Sequence, residues 1–262
     1  GGLPRGALSL MRSYTRVPVP LPTGNIDTYT ASSIEQLLQP TSLPTGASEP
    51  SFDHGGLLWP GAVLLAQLLA SGPTLEGLTT LELGCGTGLS SLAAAARGSA
   101  SSVATDISPL SLQLTAHAAA EQGLDVQASY FDLARTSQPL PTADVVLAAD
   151  VLYLSELTRS VARRIAEARA RGSLVLLTDS RATHRARLLS ELSARGLAAS
   201  FEPRTLAANL GAMCDDTGGG GVSLLRVMPP PDAEQRRLCE LHQAWFGHAT
   251  PQQRIRPVKG GG

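Results

Sequence analysis

Lysine is almost missing from this chain: of 21 basic residues, Lys259 alone is not an arginine. Against 22 acidic residues the formal net charge is -1, so the chain as a whole offers no basic surface for nucleic acid. The arginine bias, with abundant Ala, Gly, Pro and Leu, fits the codon usage of a GC-rich genome better than an arginine-based function. No apolar run approaches the ~18 residues of a membrane span. Cysteine is scarce too. Cys85, Cys214 and Cys239 are odd in number, far apart and without metal-ligand spacing. They exclude a disulfide framework and make a reducing compartment the default. Acids are absent before Asp27, while Arg5, Arg12 and Arg16 lie among Ser and Thr. That composition fits the remnant of an organellar transit peptide, and the initial Gly-Gly equally fits a tag scar with Met11 as the start. The expected compartment is cytoplasmic or organellar (mitochondrion or plastid).

What is present is enough for one large domain with extensions, since 262 residues at 43% hydrophobic content can bury a substantial core. Residues 1–55, rich in Pro, Ser, Thr and Gly, read as an extended arm in which 17–29 forms a short hairpin or a strand. From residue 56 the pattern changes. Pro60 suits the first position of a helix that continues through the apolar stretch 62–69. Short apolar runs then alternate with helix-length segments. Strands are expected at 78–83, 102–106, 125–130, 144–149 and 173–178, and helices at 89–97, 108–122, 155–171 and 183–195. Such alternation predicts a parallel sheet covered on both faces. Runs at 197–203 and 222–228, with no full helix between them, predict a terminal antiparallel hairpin. The tail 229–262 offers one amphipathic helix near 233–245. No internal repeat is visible.

The stretch 81–88, Leu-Glu-Leu-Gly-Cys-Gly-Thr-Gly, carries the most information. Gly84, Gly86 and Gly88 alternate around Cys85 and Thr87 between an apolar run and an Ala/Leu helix. Glycines there admit positive φ and let a ligand lie against bare backbone. A dinucleotide turn spaces its glycines G-x-G-x-x-G and faces a pyrophosphate. The spacing here is G-x-G-x-G, and Glu82 places a carboxylate beside the turn. That carboxylate repels a pyrophosphate and suits the sulfonium and ammonium of S-adenosylmethionine.

In doubly wound sheets ligands lie at the carboxyl ends of the strands, so polar residues at those ends are the next candidates. Asp106 ends the second strand and can accept two ribose hydroxyls, or cap the helix that begins near Pro109. Asp132 follows the third strand and can meet an adenine amino group, or be a surface turn acid. The fourth strand ends in Ala149 and Asp150, with Tyr153 three residues on. An acid and a phenol there read as substrate or cofactor contacts, or as a helix cap. Trp59, ahead of Pro60, covers the cofactor or fills the core.

Together Gly56 to Ala62 (GLLWPGA), Leu81 to Leu89 (LELGCGTGL), Thr105 to Pro109 (TDISP) and Ala149 to Tyr153 (ADVLY) resemble the seven-β-strand protein-lysine methyltransferases, the methyltransferase-like or nicotinamide-N-methyltransferase-like group. The resemblance covers about 52–228. It implies the class I methyltransferase fold, an α/β Rossmann-like doubly wound seven-stranded sheet of five parallel strands plus a terminal antiparallel hairpin. It implies S-adenosylmethionine contacts from Trp59, Gly84, Cys85, Gly86, Asp106, Asp132, Leu133 and Ala149. Substrate-lysine contacts follow from Asp150 and Tyr153. Two positions depart from the pattern. Leu133 stands where many members have a tryptophan, and the helix after the second strand lacks their asparagines.

The expected function is therefore S-adenosylmethionine-dependent methyl transfer to a lysine of a protein substrate. The alternatives are transfer to another nucleophile (a small amine, His or Arg) and a non-catalytic methyltransferase-fold subunit of a larger assembly. No metal site, nucleic-acid partner or membrane insertion is expected. The division expected is 1–55 arm, 56–228 methyltransferase domain and 229–262 tail.

Overall fold

A computed structural model of the chain describes residues 14–31, 54–211, 221–227 and 236–246. A β-hairpin comes first, β1 (Thr15–Leu21) against β2 (Gly24–Thr30), antiparallel from Thr15↔Thr30 to Leu21↔Gly24. After a 3-10 turn at His54–Gly56 come α1 (Pro60–Ser71), β3 (Thr79–Leu83), α2 (Leu89–Ala96), β4 (Ser101–Asp106), α3 (Pro109–Gln122) and β5 (Val126–Tyr130). The chain continues through β6 (Val145–Ala149), α4 (Ser155–Ala170), β7 (Leu174–Asp179), α5 (Arg185–Ser193) and β8 (Ala199–Pro203). It closes with one helical turn α6 (Ala208–Gly211), β9 (Ser223–Val227) and α7 (Arg236–Phe246).

The main sheet has seven strands in the order β5-β4-β3-β6-β7-β9-β8. Strands β3 to β7 are parallel, and β9 runs antiparallel to both β7 and β8. This is the seven-stranded, doubly wound arrangement with a terminal antiparallel pair expected from the sequence. Element bounds shift by one or two residues, as fraying ends do. The expected strand 222–228 and tail helix 233–245 overlap β9 and α7, while 228 and 233–235 lie outside the described residues.

Because side chains alternate along a strand, the central strands feed two cores. Val145, Leu147, Leu174 and Leu176 face α1, α2, α3 and the hairpin residues Val19, Leu21 and Ile26. Leu81, Leu83, Val146, Ala148, Val175 and Leu177 face α4 and α5. Helix α7 adds Leu241, Trp245 and Phe246 to the first core. Trp245 Nε1 donates to the Leu68 carbonyl at 3.1 Å, satisfying the indole where the ring is buried.

Helix starts follow their sequence signals. Pro60 and Pro109 stand in the first turns of α1 and α3, where their missing N–H costs nothing. Ser108, not Asp106, caps α3: its side chain accepts the Ser111 N–H at 3.2 Å. The strand order reverses between β3 and β6, so the carboxyl ends of β3, β4, β6 and β7 frame the crevice at that switch point.

Candidate active site

The glycine turn leaves the end of β3 with Gly84, Gly86 and Gly88 all at positive φ, at 69°, 52° and 76°. A side chain on Gly86 would place its Cβ 3.0 Å from the Gly55 carbonyl oxygen, and one on Gly84 would sit 3.0 Å from Val151 Cγ1. Bare backbone is therefore required on both flanks. The Cys85 N–H donates to the Thr105 carbonyl at 2.9 Å, which ties the turn to β4. The Cys85 thiol is buried, and that burial pushes its pKa well up, which leaves it a packed, inert group.

Asp106 stands half-buried at the end of β4. Its Oδ2 accepts the Gly86 N–H at 3.0 Å and its Oδ1 the Ser108 N–H at 2.9 Å. A carboxylate at a strand end beside the glycine turn is the group that can accept from a vicinal diol. The acid is thus fixed by the turn on one side and by the α3 entry on the other. The cap that the sequence offered as one reading of Asp106 belongs instead to its neighbour Ser108.

Glu82, expected beside the ligand face of the turn, is 1% exposed. Its Oε2 accepts the Ser91 N–H at 3.0 Å and the Ser91 hydroxyl at 2.5 Å, so it holds the first turn of α2. Burial raises its pKa to about 7, with the Ser91 bonds opposing the rise. Asp132 sits half-buried in the turn after β5, where its Oδ1 accepts the Ala134 N–H at 2.9 Å, and Leu133 packs into the second core.

That loop is organised by a residue that sequence reading missed. Arg164 of α4, 1% exposed, donates to the carbonyls of Leu133 (3.0 Å), Gln138 (2.8 Å) and Arg135 (2.9 Å) and to Glu167 Oε2 (2.9 Å). Its guanidinium also lies over the Phe131 ring. No sequence signal separates it from the surface arginines of the same helix. A cavity of about 470 Å³ adjoins this arginine, with Thr136, Arg163 and Arg195 among its lining. None of its lining residues belongs to the glycine turn.

At the end of β6, Ala149 is half-buried and Asp150 is 8% exposed with φ 54°, a left-handed conformation uncommon for a non-glycine residue. Its Oδ2 accepts the Gly61 N–H at 2.7 Å; its Oδ1 accepts the Ser180 N–H at 2.6 Å and the Ser180 hydroxyl at 2.8 Å. Burial raises the Asp150 pKa against these three donors. Asp150 therefore ties the start of α1 and the end of β7 to the end of β6. Trp59, just before α1, and Arg181, just after Ser180, meet beside this knot, with the guanidinium 4.4 Å from the ring centroid. Tyr153 follows with 44% of its surface exposed, next to Leu154 at 57%.

Residues 80–172 match the family model described as a methyltransferase domain. No curated protein matches the sequence. Among solved structures, it is similar to the Thermus thermophilus 16S rRNA N2 G1207 methyltransferase in complex with AdoMet and guanosine. There the TM-score is 0.51 and the identity 15%, over 82% of this chain and 50% of that one. A ribosomal protein L11 methylase from Lactobacillus delbrueckii subsp. bulgaricus matches at 20% identity and TM-score 0.46, over 64% of this chain and 76% of that one. The [4+2]-cyclase SpnF matches with the same identity and TM-score, over 64% and 80%. At 15% identity the likeness to the rRNA methyltransferase is one of fold. The sheet has the Rossmann-like fold of class I methyltransferases, and S-adenosylmethionine is the cofactor that goes with that fold. The segment 80–172 spans β3 to the end of α4 and contains the glycine turn, Asp106, Asp150 and Tyr153.

Proposed function

We propose that this chain binds S-adenosylmethionine across the carboxyl ends of β3, β4 and β6 and transfers its methyl group to the side-chain amine of a lysine in a protein substrate. The observation that carries the reading is the convergence of the glycine turn, Asp106 and the Asp150 knot around one switch point, with Trp59 and Tyr153 beside it. Gly84 and Gly86 supply bare backbone, and the Asp106 carboxylate accepts from the ribose hydroxyls. Asp132 and Leu133 flank the adenine, and Ala149 leaves room beside the β6 end. Cys85 and Gly88 complete the turn, and Glu82 acts on the cofactor only by holding α2 in place.

When bound, the cofactor supplies an electrophilic methyl carbon on a sulfonium. The protein then has to orient a nucleophile in line with it and exclude water. A lysine must present its neutral amine, which from a pKa of about 10.4 costs about 4.6 kcal/mol at pH 7. Asp150 does not reduce that cost, because a nearby carboxylate favours the ammonium. With three of about four acceptor positions already filled, it has room for one more donor, enough to orient an amine. Tyr153, exposed three residues on, offers a ring face or a hydroxyl to the same amine. Both roles are positional, and neither is strong base catalysis.

Incubation of the purified protein with labelled S-adenosylmethionine and a lysate of its own organism tests the reading. A labelled lysine in an identified protein is the expected result. Label on RNA, a small molecule or another side chain would replace the acceptor, and absence of binding to the cofactor would leave a non-catalytic subunit.

A further inference from the structure

We infer that the N-terminal hairpin is a working part of the cofactor site and that Thr28 is the residue that positions the glycine turn. This rests on the reading of the turn as the S-adenosylmethionine cradle. Residues 27–31, in β2 and just beyond it, tie the end of α3, the glycine turn and the segment 56–58 to one another. The Asp27 N–H donates to Gln122 Oε1 at 2.8 Å, and Gln122 Nε2 returns a bond to the Asp27 carbonyl at 2.8 Å, at the end of α3. The Tyr29 hydroxyl donates to Glu121 of the same helix at 2.6 Å. Thr30 Oγ1 accepts the Leu58 N–H at 3.0 Å, and the Ala31 N–H donates to the Gly56 carbonyl at 2.8 Å, in the segment that leads to Trp59. Between them Thr28, 0% exposed, donates its hydroxyl to the carbonyl of Thr87 at 2.7 Å.

Position 28 faces the interior beside Ile26, a place where valine would fit with the same shape and better strand preference. A buried hydroxyl costs free energy unless it is bonded, and the Thr87 carbonyl is the partner that offsets the cost. The peptide it grips joins Thr87 to Gly88. The N–H of that peptide donates to the Cys85 carbonyl at 2.7 Å, so the plane is held from both sides. Glycines on either side, Gly86 at φ 52° and Gly88 at φ 76°, make the segment intrinsically free to reorient. Without the grip from Thr28, the ligand would have to supply the ordering itself.

The test is calorimetric titration of the full chain with S-adenosylhomocysteine, for wild type, Thr28→Val and Thr28→Ser, with the melting temperature of each free protein. Thr28→Val is expected to bind about tenfold more weakly, and Thr28→Ser within about twofold of wild type. Serine loses a buried methyl, so its free protein is expected to melt at or below the valine variant while binding better. That inversion separates positioning of the turn from general stability. In activity assays the same loss appears in KM for S-adenosylmethionine, with kcat little changed. Wild-type affinity in Thr28→Val, or equal weakening in both variants, overturns the inference and leaves the cofactor site standing. A wild-type protein that does not bind S-adenosylhomocysteine overturns both.

Discussion

Asp150 accepts the backbone N–H of Gly61 at 2.7 Å across 89 positions of sequence. A Cβ on Gly61 would stand 2.5 Å from the same carboxylate oxygen, so the contact requires glycine for space rather than for its dihedral angles. The other oxygen receives both donors of Ser180, and the Asp150 N–H itself donates to the Thr178 carbonyl at 2.9 Å. Three segments that border the crevice meet in this one side chain.

Removing the carboxylate should therefore have two separable effects. Asp150→Ala strands three donors and places a residue without αL tolerance at φ 54°, so a loss of about 3 kcal/mol in urea unfolding is expected. Asp150→Asn keeps an oxygen and tolerates the left-handed backbone, so it should lose less. In both, S-adenosylhomocysteine binding should stay measurable while methyl transfer is abolished in the alanine variant. Transfer at the wild-type rate in Asp150→Ala would remove this residue from the reaction.

Gly61→Ala probes the same knot from the other side. The added methyl has to push the carboxylate away from the Gly61 N–H, an overpacking change that costs about 1–3 kcal/mol. A lower melting temperature with a reduced transfer rate is expected. An alanine variant that melts with the wild type would mean that Asp150 swings aside freely, and the knot would then be no constraint on the crevice.

Much of this architecture was legible in the chain, and the limits of that legibility are physical. Apart from the single helical turn α6, the alternation of apolar runs and helix-length segments marked the strands and helices of the sheet region within a residue or two, because period and turn chemistry are local. Pro60 and Pro109 marked helix starts for the same reason. Glu82 shows where such reading stops. Strand β3 is buried on both faces, so its pattern says nothing of which way a given side chain points, and the carboxyl turned to Ser91 rather than to the mouth of the turn. Thr28 with Thr87, and Asp150 with Gly61 and Ser180, are pairs that only the folded topology brings together. Nothing in the hairpin sequence names the glycine turn as its partner.

Asp106 should govern the cofactor and leave the rest of the chemistry alone. Its two oxygens accept the backbone N–H groups of Gly86 and Ser108, which fixes the carboxylate beside the glycine turn. Asp106→Ala removes the charge-assisted bonds proposed for the ribose hydroxyls, which are worth about 1.5–3 kcal/mol, or at least about tenfold in affinity. Calorimetry with S-adenosylhomocysteine measures this directly. Affinity within twofold of wild type would mean that the ribose lies elsewhere.

Glu82 makes a prediction about pH. Its pKa is raised from 4.5 in the unfolded chain to about 7 in the folded one, chiefly by burial. Between those values the native state binds the proton more tightly than the unfolded state, so stability falls as pH rises. The contribution is fully present below pH 4.5 and is lost by the time the pH passes 7; at 1.36 kcal/mol per unit, the difference amounts to about 3 kcal/mol. Asp150 moves in the same direction, so the wild-type profile alone does not isolate Glu82. Glu82→Gln does, because glutamine fills the same space, retains an oxygen for the Ser91 N–H and hydroxyl, and carries no titrating group. Urea midpoints at pH 5 and pH 8 should differ less in this variant than in wild type, with the variant gaining relative to wild type at pH 8. Equal pH dependence in the two proteins would mean that the Glu82 carboxyl is ionised throughout. Its bonds to Ser91 would then outweigh the burial.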